Sequence, residues 1–198
     1  MDYFLYGQRG SGKTLLATME MYFDFLEGKE LWSNTPLSEH LPHKYVDIRQ
    51  LISESFTIPN DDKKRTLLID ETHTQMDSRT SQSQHNRMLV NFITQARKRN
   101  FRILYTSQIL IGYDIRVRAL TDRVIRCLPV IDRLDLGLGD DNYPEPTLFQ
   151  YITYVPQEGW RVENSFTIPR GVARLFYPLY DTKEIVMPAE VVLYEDKA

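Results

Sequence analysis

The stretch GQRGSGKT, residues 7–14, follows the pattern G-x-x-x-x-G-K-[ST]. Glycines in such a loop let successive backbone N–H groups point at phosphate oxygens, the lysine reaches the β- and γ-phosphates, and the threonine hydroxyl binds Mg²⁺. An apolar stretch before the loop and a helical pattern after it supply the context that the motif requires. The sequence therefore predicts a loop that binds ATP and Mg²⁺, with Thr14 on the metal. Its residues are Gly7, Gln8, Arg9, Gly10, Ser11, Gly12, Lys13 and Thr14.

Two adjacent carboxylates lie at the end of the apolar run RTLLID, which predicts a central buried strand. At that position Asp70 is expected to bind the magnesium ion, directly or through water. Glu71 is expected to act as the base that polarises the attacking water, an arrangement that favours hydrolysis over transfer to a bound acceptor. A purely structural alternative is that both carboxylates cap the following segment.

Further catalytic candidates follow in the middle of the chain. Gln108 comes directly after the strand pattern RILYTS, where it is expected to touch the water and the γ-phosphate and to sense whether ATP is intact. Charge that develops on the γ-phosphate favours a guanidinium, which a neighbouring subunit often supplies. The candidates are Arg79, Arg97, Arg116 and Arg118. Each has a plain alternative: a helix-end charge, a surface ion pair or a contact to a DNA phosphate.

Strand patterns alternate with helical ones up to residue 131, which predicts an α/β fold with a mostly parallel central sheet flanked by helices. The strand patterns are Asp2–Tyr6, Glu30–Asn34, Arg65–Asp70, Arg102–Ser107 and Val124–Ile131, and the clearest helices are Lys13–Leu26 and Asn86–Asn100. Pro129 favours an edge strand or a bend. Thr147–Val155 and Trp160–Ile168 predict a β-hairpin. We therefore divide the chain into a core, 1–131, and a β-rich extension, 132–198, packed on the same domain.

The net charge of −3 is unevenly distributed along the chain. Residues 79–126 carry 10 Lys and Arg against 2 Asp and Glu, a net of +8, whereas residues 1–78 and 127–198 carry −5 and −6. A basic middle favours a face that meets phosphate, and a solvated helix face is an equal alternative. The single cysteine, Cys127, excludes an internal disulfide and fits a reducing compartment.

Membrane and secretion signals are not evident in the sequence. No apolar run approaches the roughly 18 to 20 residues that span a bilayer. A strand and the glycine loop occupy the place of a signal peptide, so we expect a cytoplasmic protein without a membrane span.

The motifs GQRGSGKT, LLIDE, QARKRNF and ILYTSQ, in this order, resemble the FtsK/HerA superfamily of pumping ATPases over roughly residues 1–130. The compact size is similar to the genome-packaging ATPases of viruses with internal membranes. The resemblance implies a RecA-like P-loop core, a ring, commonly a hexamer, and double-stranded DNA threaded through its centre. It maps the family's sensor onto Gln108 and its trans-acting arginine onto Arg97, with Arg79 as second candidate. We expect no winged-helix DNA-reading domain of the kind that larger members carry, so the resemblance implies a capsid or vertex protein as partner, in the host cytoplasm if the protein is viral.

Two other enzymatic functions stay open. The first is a morphogenesis or secretion ATPase of the filamentous phage assembly type. Its D-x-R-x-R pattern is matched by residues Asp114 to Arg118, DIRVR. A small-molecule P-loop kinase would need a lid and an acceptor pocket, for which residues 35–64 offer room, although Glu71 and Gln108 favour water as the acceptor. A nucleotide switch without catalysis is disfavoured by Glu71.

Overall fold

The structure of the chain is a computed structural model, which describes residues 1–53, 61–71, 84–108, 110, 120–131 and 146–180. The strands are β1 (Tyr3–Tyr6), β2 (Glu30–Ser33), β3 (Lys44–Tyr45), β4 (Arg65–Ile69), β5 (Phe101–Ser107), β6 (Arg123–Val130), β7 (Leu148–Val155) and β8 (Arg161–Pro169). The helices are α1 (Lys13–Leu26), α2 (Ile48–Ser53), α3 (Gln84–Ala96) and α4 (Arg170–Phe176), with short 3₁₀ turns at Arg97–Arg99, Pro156–Glu158 and Tyr177–Leu179. Among the described residues, no helix is both long and apolar enough to cross a membrane.

One eight-stranded sheet runs through the molecule in the order β3-β2-β4-β5-β1-β6-β7-β8. The pairs from β3 to β6 are parallel, and β7 and β8 are antiparallel to their neighbours. The structure thus confirms the predicted α/β fold class with its mostly parallel sheet and C-terminal hairpin. In this order β5 separates the strand before the glycine loop, β1, from the strand before the paired carboxylates, β4.

Apolar side chains cover both faces of the central strands, which explains their continuous apolar runs. Neighbouring residues of one strand point to opposite faces: Phe4 belongs to the cluster that includes Phe92 and Ile93 of α3, and Leu5 to the one that includes Leu15 of α1. Both clusters are buried. The sheet is therefore fixed between helical layers, and its strand ends are held in register.

Pro129 was expected to mark an edge strand or a bend, and the edge is wrong because β6 lies inside the sheet between β1 and β7. The reason is the length of β1, whose last residue, Tyr6, pairs with Arg126. Beyond Arg126, strand β6 has only β7 as a neighbour, where Pro129 pairs with Phe149. The proline therefore falls on the part of an interior strand that is flanked on one side only. β6 and β7 also join the two sides of the predicted boundary at residue 131 in one sheet.

A buried ion-pair network lies where helix α1 crosses the amino-terminal ends of β4 and β5. The Asp24 carboxylate, on a side chain that is 4% exposed, accepts hydrogen bonds from Lys29 at 2.5 Å, from the Thr66 hydroxyl at 2.6 Å and from Arg102 at 2.7 Å. Arg102 also pairs with Glu20 and lies over the Tyr3 ring. The network ties the last turns of α1 to the two strands whose far ends carry the candidate catalytic residues.

Candidate functional site

The glycine loop connects β1 to α1 and bends through left-handed conformations at Gly10 (φ 71°) and Gly12 (φ 84°), which glycine adopts without a steric penalty. Gly12 is the residue from which α1 begins. Lys13 is buried, and its ammonium group donates to the carbonyl oxygens of Gly7 at 3.1 Å and Gln8 at 2.9 Å. Burial lowers the pKa of Lys13, while the Asp70 and Glu71 carboxylates act in the opposite direction. The lysine is thus held over the loop and electrostatically coupled to both carboxylates.

Two features of the loop suit phosphate. Ser11 is fully buried, and its hydroxyl oxygen has no hydrogen-bond partner in the described part of the protein. Buried polar atoms are usually satisfied, so an unpaired hydroxyl inside this loop fits a site that a ligand completes. The carbonyl of Cys127 on β6 lies where a side chain at Gly7 would have to go, since a Cβ there would be 2.3 Å from the oxygen. Any residue with a side chain at position 7 would therefore clash with β6, so this position requires glycine.

Cys127 has the structural role expected of a small apolar residue. Its side chain is fully buried in the core beside α1. Burial raises the pKa of the Cys127 thiol to about 12, so the thiol stays protonated at neutral pH. A protonated, buried thiol is neither a nucleophile nor a metal ligand.

Asp70 and Glu71 follow β4, and Thr106 of β5 joins them. The Thr106 hydroxyl donates to the Asp70 carboxylate and accepts from the backbone N–H of Glu71 at 3.0 Å. Glu71 has a left-handed backbone (φ 49°), which is uncommon for a residue with a side chain and often marks a functional site. Burial raises the pKa of Asp70, and hydrogen bonding by Thr106 partly opposes this. A carboxylate withdrawn from water in this way is suited to a cation.

The backbone of Asp70 is fixed from the other side by Asn34, the residue after β2. The Asn34 side chain accepts from the N–H of Asp70 at 2.7 Å and donates to its carbonyl at 3.2 Å. Asn34 is fixed in turn by a bond from its own N–H to the carbonyl of Leu68. Asp70 is therefore held by the strands on both sides of β4.

Gln108 lies at the tip of β5, between the glycine loop and the carboxylates. Its amide donates to the Glu71 carboxylate at 3.4 Å, a long contact. The preceding residue, Ser107, accepts from the N–H of Gly7 at 3.3 Å. The carboxyl-terminal ends of β1, β4 and β5 thus bring together the predicted Lys13, Asp70, Glu71 and Gln108, and Thr14 is half-buried in the first turn of α1.

Arg97 lies near the amino-terminal ends of the central strands, opposite the ends that carry the glycine loop and the carboxylates. Its guanidinium donates to Asp2 at 3.1 Å, to Asp122 at 2.8 Å and to the carbonyl of Leu120 at 2.6 Å. Asp2 precedes β1, and its other carboxylate oxygen accepts from the N–H of Ile103 on β5. Arg97 is therefore remote from the glycine loop of its own chain. If it contacts a nucleotide, that nucleotide belongs to a neighbouring subunit.

Five further arginines bear on the predicted basic face: three other candidates for the trans role and two that form ion pairs. Arg79, Arg116 and Arg118 lie outside the described residues. Arg102 pairs with Glu20 and Asp24, and Arg123 pairs with Glu163. Together with Arg97, three basic residues of the positive segment 79–126 thus form ion pairs within their own chain, so their charge is not available in full to a nucleic acid.

Three residues near the site were missed in the sequence. Thr106 and Asn34 are polar residues at or after strand ends, and that position is a signal which could have found them. Tyr151 of β7 donates to the carbonyl of Gly12 at 3.0 Å from a hairpin that was predicted to be only an elaboration. No local pattern connects residue 151 to residue 12.

Comparison with known proteins bears on the fold. No protein-family model and no curated protein sequence matches the chain. The N-terminal domain of zonular occludens toxin from Neisseria meningitidis is similar with a TM-score of 0.54 and 16% identity, covering 91% of this chain and 98% of that one. The genome-packaging NTPase B204 of Sulfolobus turreted icosahedral virus 2, in complex with AMPPCP, has a TM-score of 0.55 and 11% identity over 82% and 95%.

A third similar structure is the cytoplasmic domain of the type VII secretion ATPase EccC from Thermomonospora curvata. Its TM-score is 0.52 at 13% identity, covering 85% of this chain and 24% of that one. At such identities a likeness concerns architecture, and the sheet order and glycine loop agree with it. The chain has the fold of a P-loop NTPase.

Proposed function

We propose that this protein hydrolyses ATP to move double-stranded DNA, as the motor that packages a viral genome. The observation that carries the hydrolytic part is the meeting of Asp70 and Glu71, at the end of β4, with Gln108, at the end of β5, beside the glycine loop. The likeness to the packaging NTPase B204, which was solved with ATP analogues, supports the nucleotide and the motor. The resemblance of the sequence motifs to pumping ATPases supports the same conclusion.

The residues present fit a nucleotide with its magnesium ion. The loop N–H groups and Lys13 bind the phosphates, and the Thr14 hydroxyl and the Asp70 carboxylate hold Mg²⁺. Mg²⁺ neutralises charge on the phosphate oxygens. Asp70 is oriented for this role by Thr106 and Asn34. The unpaired Ser11 hydroxyl gives the loop one further polar group inside the site.

Hydrolysis proceeds by attack of water on the γ-phosphorus. Glu71 takes the proton of the water as the new P–O bond forms, and the bond between the γ-phosphorus and the oxygen of ADP breaks. Gln108 is hydrogen-bonded to Glu71, so it orients the base and responds to the γ-phosphate. Lys13 balances the negative charge that the leaving ADP oxygen gains.

DNA-stimulated hydrolysis is the expected result for a motor. Phosphate release by the purified protein with Mg²⁺ should rise when duplex DNA is added, and the rise should shrink with increasing salt because phosphate contacts release counterions. The matched control is a mixture of deoxynucleotides at equal phosphate concentration. Hydrolysis that ignores DNA would contradict the motor. Phosphate that appears on a small acceptor instead of in solution would contradict the motor and favour the kinase.

Arg97 is proposed to complete the site of the next subunit in a homo-oligomeric ring, with six subunits as the expected number. Its side chain is 43% exposed, so a neighbour has access to it, but serving that neighbour requires release from Asp2 and Asp122. Lysine at this position keeps a positive charge beside Asp2 and lacks the guanidinium fork that a γ-phosphate contact needs. Arg97→Lys therefore separates the structural from the catalytic role.

Mixing two inactive variants tests this assignment. Lys13→Ala subunits keep Arg97, and Arg97→Lys subunits keep the glycine loop, so a mixed ring contains competent sites only if the arginine acts across the interface. We expect hydrolysis in the mixture to exceed that of either parent. Full activity of Arg97→Lys alone, or a mixture as inactive as both parents, would refute the trans role and leave Arg79 as the next candidate.

A second function is an ATPase of filamentous-phage-type assembly or secretion. It is favoured by the likeness to the cytoplasmic domain of a type VII secretion ATPase. The two functions share the chemistry and differ in the load, so stimulation by DNA discriminates between them. For the packaging motor, capsid or vertex proteins are the proposed partners and the host cytoplasm the proposed location.

A further inference from the structure

A row of three residues crosses the sheet from β6 to β8 next to the glycine loop. Tyr151 of β7 pairs with Cys127 of β6 on one side and with Phe166 of β8 on the other. The rings of Tyr151 and Phe166 are stacked, with centroids 5.1 Å apart and an interplanar angle of 25°. Tyr151 is fully buried. The position of the Tyr151 ring is therefore fixed by contacts within the sheet, independently of its contact with the glycine loop.

Both ends of the glycine loop contact this part of the sheet. At the start of the loop, the Cys127 carbonyl occupies the space beside Gly7. At its end, a Cβ on Gly12 would lie 2.6 Å from both the Tyr151 hydroxyl and the Phe149 ring. The Tyr151 hydroxyl donates to the Gly12 carbonyl at 3.0 Å. The first strand of the hairpin, β7, thus limits where the loop and the start of α1 can lie.

The bond to Gly12 has a consequence for phosphate binding because a trans peptide group is planar. The C=O of Gly12 and the N–H of Lys13 belong to the same plane and point in opposite directions. A donor that fixes the carbonyl therefore also fixes the direction of the Lys13 N–H, one of the groups that such a loop turns toward phosphate. Burial raises the pKa of Tyr151, so its hydroxyl keeps the proton that it donates.

We propose that the β7–β8 hairpin is a functional part of the nucleotide site, in which Tyr151 is a positioning residue that orients the Gly12–Lys13 peptide for phosphate binding. The proposal rests on the proposed nucleotide-binding function and adds a residue to it. It also makes the hairpin the route by which a contact on its exposed strand, β8, reaches the phosphates. Seven of the nine residues of β8 are exposed.

Tyr151→Phe removes the hydroxyl and keeps the stacked ring. Loss of one hydrogen bond that orients a phosphate ligand should raise the Kd for Mg²⁺-AMPPCP by about three- to tenfold, measured by calorimetric titration of the full chain. The KM for ATP should rise by a similar factor while kcat changes little, because the affected contact is made in ground and transition state alike. Tyr154→Phe is the matched control, since alternation along β7 places residue 154 on the opposite face of the sheet.

A second variant covers the case in which Tyr151→Phe does not fold. Phe166→Leu keeps the Tyr151 hydroxyl and removes the ring that stacks on it, so it should weaken AMPPCP binding in the same direction. If wild type binds AMPPCP and both variants bind it as tightly, the positioning role is wrong and the proposed function stands. If wild type itself binds no AMPPCP, the proposed function fails and the positioning role fails with it.

Discussion

Replacing Glu71 with glutamine is expected to slow ATP hydrolysis by about two to four orders of magnitude, the range that a general base contributes. Glutamine has the same shape and still offers an oxygen to the Gln108 amide, so the contact between the two side chains is kept. It has no carboxylate to take the proton of water. Mg²⁺-AMPPCP should bind the variant as it binds wild type, because the loop and Lys13 are the groups proposed to hold the phosphates. Single-turnover hydrolysis and calorimetric titration measure the two quantities.

The matched control is Glu39→Gln, which removes the same charge from an exposed carboxylate. It should hydrolyse ATP at the wild-type rate. A Glu71→Gln protein that binds AMPPCP and hydrolyses ATP at more than a tenth of the wild-type rate would show that Glu71 is not the base. Loss of AMPPCP binding in that variant would instead assign the carboxylate to the binding of nucleotide or metal.

The largest loss of stability is expected at Asp24, far from the site. Asp24→Asn keeps the shape and removes the charge that Lys29 and Arg102 share. Removing one partner of a buried ion pair should lower the free energy of unfolding by about 3 kcal/mol, the lower end of the usual range because Arg102 keeps Glu20. Urea unfolding at pH 7 measures the loss. Asp62→Asn, at an exposed carboxylate, is the control and should change stability little.

The effect of Asp24→Asn should depend on pH. Burial alone raises the pKa of Asp24, but the hydrogen bonds from Lys29, Thr66 and Arg102 outweigh it and leave the pKa below the ordinary value of 3.8. A carboxylate with a lowered folded-state pKa contributes stability above its unfolded pKa and loses it as the pH falls through the folded value. The gap between wild type and variant should therefore narrow below pH 3.8. A gap that is constant down to the acid transition would contradict this origin.

The sequence predicted the fold and the site where the signal is local. Strand β4 and helix α1 could be predicted because an apolar run or a helical period is complete within each segment, and both occur where expected. The positions of Asp70 and Gln108 followed from the same logic, since parallel strands bring their carboxyl ends to one edge. Helix α4, which follows the hairpin, could not be predicted because prolines and aromatic residues surround its short pattern.

The contacts that could not be predicted all join distant segments. From the sequence alone, Asp24 is one polar residue in a predicted helix. Its bonds to Thr66 and Arg102 depend on how the strands pack against that helix. Pro129 was predicted to mark an edge strand but lies in an interior strand, because the one-sided pairing around it depends on where β1 ends, which the sequence of β6 does not contain. The bond from Tyr151 to Gly12 has the same character. The sequence shows which residue types could form hydrogen bonds or ion pairs, but only the topology determines which of them are brought into contact.

The central place of β1 has a consequence for how the chain folds during synthesis. β1 is synthesised before both strands that flank it, since Tyr3 pairs with Leu104 on one side and with Arg123 on the other. Contacts so distant in sequence require closure of long loops and are associated with slow folding. Both strands that flank β1, the strand before the glycine loop, are therefore present only after β6 has been translated. A ligand that binds only the completed loop shifts the equilibrium toward the folded chain. The proposed ligand, ATP, would then favour the folded state of its own binding site.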